Sequence, residues 1–125
     1  MDKVALGVRI LLGLIYFVFG LNGFLNFMTP PAPTPEAGAF LGALAATGYM
    51  FPVIKLVEVL AGIALLSGKF VPLALVISFP VTVNIFLIHA ILDPGGLPIG
   101  IFLLGSSLFL GLKVYRDRFD GILSA

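Results

Sequence analysis

The stretch from Phe51 to Gly62, FPVIKLVEVLAG, carries a lysine and a glutamate within an apolar run. This run extends into an apolar segment over residues 52–67, and similar segments cover residues 4–27, 71–92 and 97–115. Their lengths lie near or above the roughly 20 residues that an α-helix needs to cross a bilayer core. The sequence therefore predicts an all-α fold, a bundle of four transmembrane helices.

The overall composition supports a membrane location. The chain has 125 residues, of which 60% are hydrophobic and 10% are charged, and its mean hydropathy is +1.19. A soluble domain of this length could not bury so much apolar surface. We therefore expect a single integral membrane domain over residues 1–125, with the lipid bilayer as its main partner.

Charge and residue content exclude several classes of function. The net charge is +1 and the basic residues form no stripe, so nucleic acid has no binding surface. The chain has no cysteine, which excludes disulfides, thiol redox centres, iron–sulfur clusters and thiolate zinc sites. Its single histidine, His89, cannot form a multi-histidine metal site. We predict no metal site and no intrinsic cofactor. Any redox chemistry would therefore need a cofactor that another molecule supplies.

The basic residues predict the orientation in the membrane. Six of them lie on one side of the predicted spans: Lys3, Arg9, Lys69, Lys113, Arg116 and Arg118. Lys55 is the one basic residue on the other side. The positive-inside rule then places both termini in the cytoplasm, as expected for a multi-pass protein of a bacterial-type inner membrane. The connections around residues 28–51 and 93–96 are outside.

A short helix is predicted within the first outer connection. In TPPAPTPE, Thr34 suits the N-cap, Pro35 the first helical position and Glu36 the first turn, while Gly48 marks the end. A helix over residues 35–47 is about 20 Å long and too short to span the bilayer. It should be interfacial or re-entrant.

Small residues recur every four positions along this short helix, at Gly38, Gly42 and Ala46. Such a stripe predicts a face on which another helix packs closely. A lid that plugs the bundle and a functional gate are both compatible with it.

Six polar residues fall in the outer half of the predicted membrane region and are the candidate ligand-binding residues: Lys55, Glu58, Asn22, Asn26, Asn84 and His89. Lys55 lies within about 5 Å of the outer end of its helix and can extend toward water, whereas Glu58 lies about 9 Å in. A carboxylate inside a bilayer is costly, so Glu58 should face the bundle interior with a partner or be protonated. An ion pair that locks helices together and a ligand or proton site both remain open.

The other polar candidates also allow two interpretations. The three asparagines predict either hydrogen bonds between helices or ligand contacts, and we expect Asn26 and Asn84 to share a pocket centred on Glu58. Asn84 and His89 are about 140° apart on an ideal helix and cannot point straight at one spot, which favours Asn84 as the pocket residue. For His89, a contact with Asp93 that orders the outer turn is favoured over a haem or metal ligand, because no second histidine exists.

Several segments resemble the DoxX-like family of small four-helix membrane proteins. The resemblance rests on Arg9 and Gly13 followed by FGLNGFLNF, on VEVLAGIALLSGKFVPLAL and on VNIFLIHAILDP, and it covers nearly the whole chain. Its most diagnostic part is the spacing of Glu58 and Gly62, followed by Leu65, Gly68 and Pro72. Members of this family are associated with membrane redox complexes, including a subunit linked to thiosulfate:quinone oxidoreductase. Related redox members use cysteines, and many carry a basic residue where this chain has Asn22 and Gly23.

The resemblance implies a non-catalytic membrane subunit that binds a quinone-like or lipid ligand and associates with a membrane or peripheral redox partner. No catalytic residue is assigned. The alternatives are a small proton-coupled transporter that uses Glu58 and a structural membrane chaperone or partner protein. Assembly into a homo-oligomer is a further hypothesis.

Overall fold

The computed structural model describes residues 1–123 and confirms the all-α, four-helix prediction. Four helices are long and apolar enough to cross a membrane, at Lys3–Leu25, Met50–Ser67, Val71–Leu92 and Pro94–Val114. These bounds agree with the predicted spans to within three residues. The chain thus has the architecture of a multi-pass membrane protein.

Six α-helices form the described part of the chain: α1 (Lys3–Leu25), α2 (Pro35–Ala46), α3 (Met50–Ser67), α4 (Val71–Leu87), α5 (Leu97–Phe109) and α6 (Arg116–Leu123). A π-helical turn at Ile88–Leu92 prolongs α4, and another at Leu110–Val114 prolongs α5. A short 3-10 turn at Pro94–Gly96 leads into α5. The two π turns complete the third and fourth spans, so these spans are not uniformly wound.

The ends of α2 and α3 follow the capping signals of the sequence. Thr34 is the N-cap of α2 and its hydroxyl accepts a hydrogen bond of 3.2 Å from the Ala37 amide, with Pro35 in the first turn. Gly48 (φ 80°) follows α2, and Gly68 (φ 77°) ends α3. Both glycines adopt a left-handed conformation that other residues adopt at a cost. The predicted start and stop of the short helix are therefore confirmed.

The spans pack in a ring in which α1 contacts α3, α3 contacts α4, α4 contacts α5 and α5 contacts α1. The fully buried side chains at the centre include Leu12, Tyr16, Leu65 and Leu110. Large apolar side chains also cover the outside of the bundle, with exposed fractions such as 50% at Leu60 and 57% at Leu73. Water does not favour such a surface, so a lipid bilayer is the environment that suits the fold.

Glycines allow α1 and α3 to run antiparallel with their backbones nearly in contact. A methyl group at Gly13 would lie 3.0 Å from the amide nitrogen of Leu66, and one at Gly20 would lie 2.9 Å from that of Val59. Neither backbone can move aside as a flexible side chain could, so these positions admit only glycine without a shift of the helices. The same register brings Gly23 of α1 against the Lys55 side chain of α3.

The predicted small-residue contact of α2 is wrong. A methyl group at Gly42 would meet no atom within 4 Å, and one at Gly38 would meet only Pro33 of the preceding loop. The buried position of α2 is Ala37, which is 0% exposed, and the hydroxyl of Thr34 donates a 2.6 Å hydrogen bond to the Leu92 carbonyl. This bond and the burial of Ala37 set the rotation of α2, so Gly38 and Gly42 do not face another helix.

Candidate functional site

A cavity of about 430 Å³ opens in the bundle at the end covered by α2. Its wall is mostly apolar, and its lining includes side chains from each of the helices α1 to α5, among them Phe19, Phe40, Phe51, Ile85 and Leu103. Four of the six predicted site residues also line it: Lys55, Glu58, Asn84 and His89. The structure therefore brings most of the predicted polar set together on the wall of one apolar cavity.

The short helix α2 forms one side of this cavity. Phe40, Leu41 and Leu44 of α2 contribute to the lining, while the bond from Thr34 to Leu92 ties the start of α2 to the end of the third span. The short helix α2 is thus a fixed part of the cavity wall.

Lys55 and Glu58 form an ion pair one helical turn apart on α3. The lysine Nζ lies 3.1 Å from Oε2 of the glutamate, and the two side chains are 21% and 5% exposed. The lysine stem passes over Gly23 of α1, where any side chain would collide with it. Lys55 could extend toward water or pair with Glu58, and the structure shows the pair. The gap at Gly23 gives the lysine stem room, and a buried carboxylate gains from a countercharge.

Glu58 lies at the seam between α1 and α3. A methyl group at Gly20 would lie 3.0 Å from the Glu58 Cβ, so the glycine provides the space that the glutamate side chain uses. The Oε2 atom is buried and has no hydrogen-bond partner among residues 1–123, and the Lys55 Nζ at 3.1 Å is its ionic partner. Glu58 therefore faces the bundle interior, as predicted, and keeps hydrogen-bonding capacity unused.

Asn84 and His89 occupy the α4 side of the cavity. The side-chain amide of Asn84 donates a 2.8 Å hydrogen bond to the Pro80 carbonyl, and His89 Nδ1 lies 3.2 Å from the Asp93 carbonyl. The predicted contact between His89 and Asp93 thus exists, but through the backbone of Asp93. Asn84 and His89 line the same cavity although an ideal helix would set them about 140° apart, since the cavity is wide and the winding changes at the π turn from Ile88.

Asn22 and Asn26 do not line the cavity. Their hydrogen bonds close the end of α1 instead of joining two helices, so the predicted bonds between helices are wrong for these two residues. Asn22 Oδ1 accepts a 2.7 Å hydrogen bond from the Met28 amide. Asn26 is the C-cap of α1 in a left-handed conformation (φ 52°), and its amide donates to the Asn22 carbonyl at 2.9 Å. The end of a helix leaves carbonyl groups without partners, and asparagine tolerates the left-handed conformation that closes it. Both residues therefore cap the end of α1. Of the predicted pocket of Glu58, Asn26 and Asn84, the cavity contains Glu58 and Asn84 but not Asn26.

A group of buried hydroxyl groups lies beside the cavity and was not predicted from the sequence. Tyr16, which lines the cavity, shares a hydrogen bond with Thr82, and the Thr82 hydroxyl donates to the Ser78 carbonyl at 3.0 Å. Ser106 and Ser107 of α5 are buried as well. The signal was the four-residue spacing of Ser78 and Thr82, which puts both hydroxyls on one face of an otherwise apolar span.

Within residues 1–123 there is no group of three or more acidic or histidine side chains able to hold a metal ion. In comparisons with known proteins, the chain matches no family model, no curated protein and no solved structure. The site thus defines a class: a four-helix membrane protein with an apolar cavity and a buried lysine–glutamate pair.

Proposed function

We propose that this protein is a non-catalytic membrane subunit that holds a quinone-like or other lipid-like ligand in the cavity. The observation that carries the proposal is an apolar cavity of about 430 Å³ with the Lys55–Glu58 pair in its wall. Pockets of about 300–1,000 Å³ with few polar groups are typical of small-molecule sites. An amphiphile with a ring-sized polar end and an apolar tail matches this combination.

The lining suits each part of such a ligand. Phe19, Phe40 and Phe51 offer aromatic surface for a ring or an unsaturated tail. Lys55 and Glu58 offer charges that can orient a polar end, and the low dielectric around them strengthens such contacts. The ligand would enter from the bilayer, where lipophilic molecules are concentrated.

The redox partner is part of the proposal and is supported by the resemblance to DoxX-like proteins. A chain without cysteine has no thiol with which to transfer electrons, so a ligand held here would react on a partner protein. In the same proposal the protein is placed in a bacterial-type inner membrane with both termini in the cytoplasm, as its basic residues suggest.

Proton-coupled transport through Glu58 is the main alternative. Transport needs access to the cavity from both sides of the membrane in turn. The core beyond the cavity is filled by the fully buried side chains of Leu12, Leu65 and Leu110. This dense packing favours a binding site with one entrance over a transport path.

Ligand retention tests the proposal. The full-length protein, extracted with a mild detergent, should retain a quinone or lipid that mass spectrometry detects, and it should bind a decyl-benzoquinone or decyl-hydroquinone probe. Ile54→Trp places a large ring in the cavity and should weaken probe binding at least about tenfold, a loss of about 1.4 kcal/mol. Leu60→Trp, on the exposed face of the same helix, is the matched control and should leave binding unchanged.

Retention of neither quinone nor lipid, together with no binding of either probe, would contradict the proposal. Substrate flux into liposomes that depends on Glu58 would instead support the transporter.

A further inference from the structure

The polar side chains on the cavity wall differ in which hydrogen-bonding groups they have left for a ligand. Asn84 uses an amide N–H on the Pro80 carbonyl, at 2.8 Å. A carbonyl oxygen can only accept, so the amide nitrogen must face Pro80 and the side-chain oxygen must point elsewhere. Asn84 thus keeps its Oδ1 acceptor, along with one N–H.

His89 shows the same pattern. Its Nδ1 lies 3.2 Å from the Asp93 carbonyl, which again can only accept, so Nδ1 carries the proton in this contact. In the neutral ring the other nitrogen, Nε2, is then an acceptor. The Nδ1–H group of His89 is thus bonded to the protein, and Nε2 remains free to accept a hydrogen bond from a ligand.

The direction of the hydrogen bonds at Tyr16 follows by elimination. The Thr82 hydroxyl donates to the Ser78 carbonyl at 3.0 Å, so its proton is already used. In the hydrogen bond between Tyr16 and Thr82, Tyr16 must therefore be the donor. The tyrosine proton is directed into the bundle, and only lone pairs remain on its oxygen.

Glu58 adds the strongest acceptor of the site. An ionised carboxylate only accepts, and its buried Oε2 receives no hydrogen bond from residues 1–123 although the Lys55 ammonium lies 3.1 Å away. The Lys55 ammonium and the second N–H of Asn84 are the side-chain donors that remain. Counted by side chain, four residues of the wall therefore offer an acceptor to a ligand, and two, Lys55 and Asn84, offer a donor.

We infer that this cavity selects ligands whose polar end donates hydrogen bonds, a hydroquinone or phenol, over ligands whose polar end only accepts, such as the corresponding quinone. The inference rests on the proposed function and specifies its ligand. A hydroxyl can donate to Glu58 and accept from Lys55, so it complements the charge pair. A quinone carbonyl can engage Lys55 but leaves the carboxylate without a donor, which is the costly arrangement in a low-dielectric site. A subunit with this preference holds the reduced form of a redox carrier.

Three probes with the same decyl tail test the inference on the full-length protein in lipid nanodiscs. They are a decyl-hydroquinone kept reduced under argon, the decyl-benzoquinone, and the dimethyl ether of the hydroquinone, which has the ring but no O–H. Equilibrium dialysis gives the three dissociation constants. A charge-assisted hydrogen bond is worth roughly a tenfold to hundredfold difference in affinity. We expect the hydroquinone to bind tighter than both other probes by that factor.

A pair of substitutions tests whether Glu58 causes the preference for the hydroquinone over the quinone. Glu58→Gln keeps the shape but replaces the carboxylate with a group that both donates and accepts, so the hydroquinone preference should fall to about threefold or less. Glu36→Gln makes the same chemical change in the exposed first turn of α2, away from the cavity lining, and should keep the full preference. The comparison of the three probes on the unsubstituted protein decides the inference even where Glu58→Gln impairs folding.

Each outcome has a distinct meaning. A quinone or ether that binds as tightly as the hydroquinone overturns the inference and leaves the proposed function standing, because the tail and ring are then sufficient. Failure of all three probes to bind overturns the inference, and it overturns the proposed function as well where the extracted protein also retains neither quinone nor lipid. A full hydroquinone preference in folded Glu58→Gln would remove Glu58 from the explanation and overturn the inference as stated.

Discussion

Gly62 of α3 lies directly against the backbone of Phe17 of α1. A methyl group at position 62 would come within 2.6 Å of the Phe17 amide nitrogen and 2.8 Å of its Cα. The two helices thus touch backbone to backbone one turn away from Glu58. Because this contact holds α1 and α3 in register, it also keeps Gly20 beside Glu58 and Gly23 beside Lys55.

Gly62→Ala should therefore lower stability. The methyl group would meet backbone atoms that no rotamer change can move, and overpacking of this kind costs about 1–3 kcal/mol. Gly105→Ala in α5 is the matched control, because a methyl group there meets nothing within 4 Å and removal of a helical glycine can add up to about 1 kcal/mol. Thermal unfolding in detergent measures both. Equal melting temperatures for the two variants would show that the helices are not in close contact at Gly62.

The Lys55–Glu58 pair should show strong energetic coupling. Lys55→Met leaves a nearly buried carboxylate without its countercharge, and breaking a buried pair in this way costs about 3–5 kcal/mol. Glu58→Leu should cost less, because Lys55 is 21% exposed and can turn toward water. The double variant should recover most of the loss from Lys55→Met, since no charge is then left unpaired.

A double-mutant cycle, measured by unfolding in the same detergent, gives the coupling. Additive effects of the two substitutions would mean that the pair contributes nothing as a unit. A Glu58→Leu variant that folds and retains ligand like the parent would leave the charges with a structural role only.

Two positions on α2 should respond differently to the same substitution. Ala37 is 0% exposed, so Ala37→Leu inserts bulk between α2 and the bundle and should cost about 1–3 kcal/mol. At Gly42 an added methyl group meets nothing within 4 Å, so Gly42→Leu should not lower the melting temperature and can raise it, since a helical glycine is removed. The opposite result, with Gly42→Leu the more harmful, would mean that α2 packs through its small residues after all.

Topology can be tested without background because the native chain has no cysteine. We expect cysteines placed at Asp2 and Asp120 to be protected from a membrane-impermeant maleimide added to intact cells, because the positive-inside rule puts both ends in the cytoplasm. A cysteine at Ala45 of α2 should be labelled. Labelling at Asp2 or Asp120 in intact cells would reverse the proposed orientation.

The helices could be predicted because their signals are local. Four apolar segments of sufficient length require four spans, and the run from Thr34 to Glu36 carries its own helix start, which the hydrogen bond to Ala37 confirms. The face of α2 could not be predicted from Gly38 and Gly42, since the rotation of a helix depends on which neighbour it meets. The bond from Thr34 to Leu92 that sets it joins residues 58 apart in sequence.

For the candidate site, the sequence by itself determined that a carboxylate at Glu58 must lie inside the bundle, because burial of a charge in lipid is costly wherever the helices pack. Only the tertiary structure decided which groups surround it. Asn26 was excluded because α1 ends there, and Tyr16 was included because the glycine contacts bring α1 against α3 in one register. Periodicity within one helix carries no information about the register between two, which depends on the close approach of their backbones at Gly62 and the other glycines.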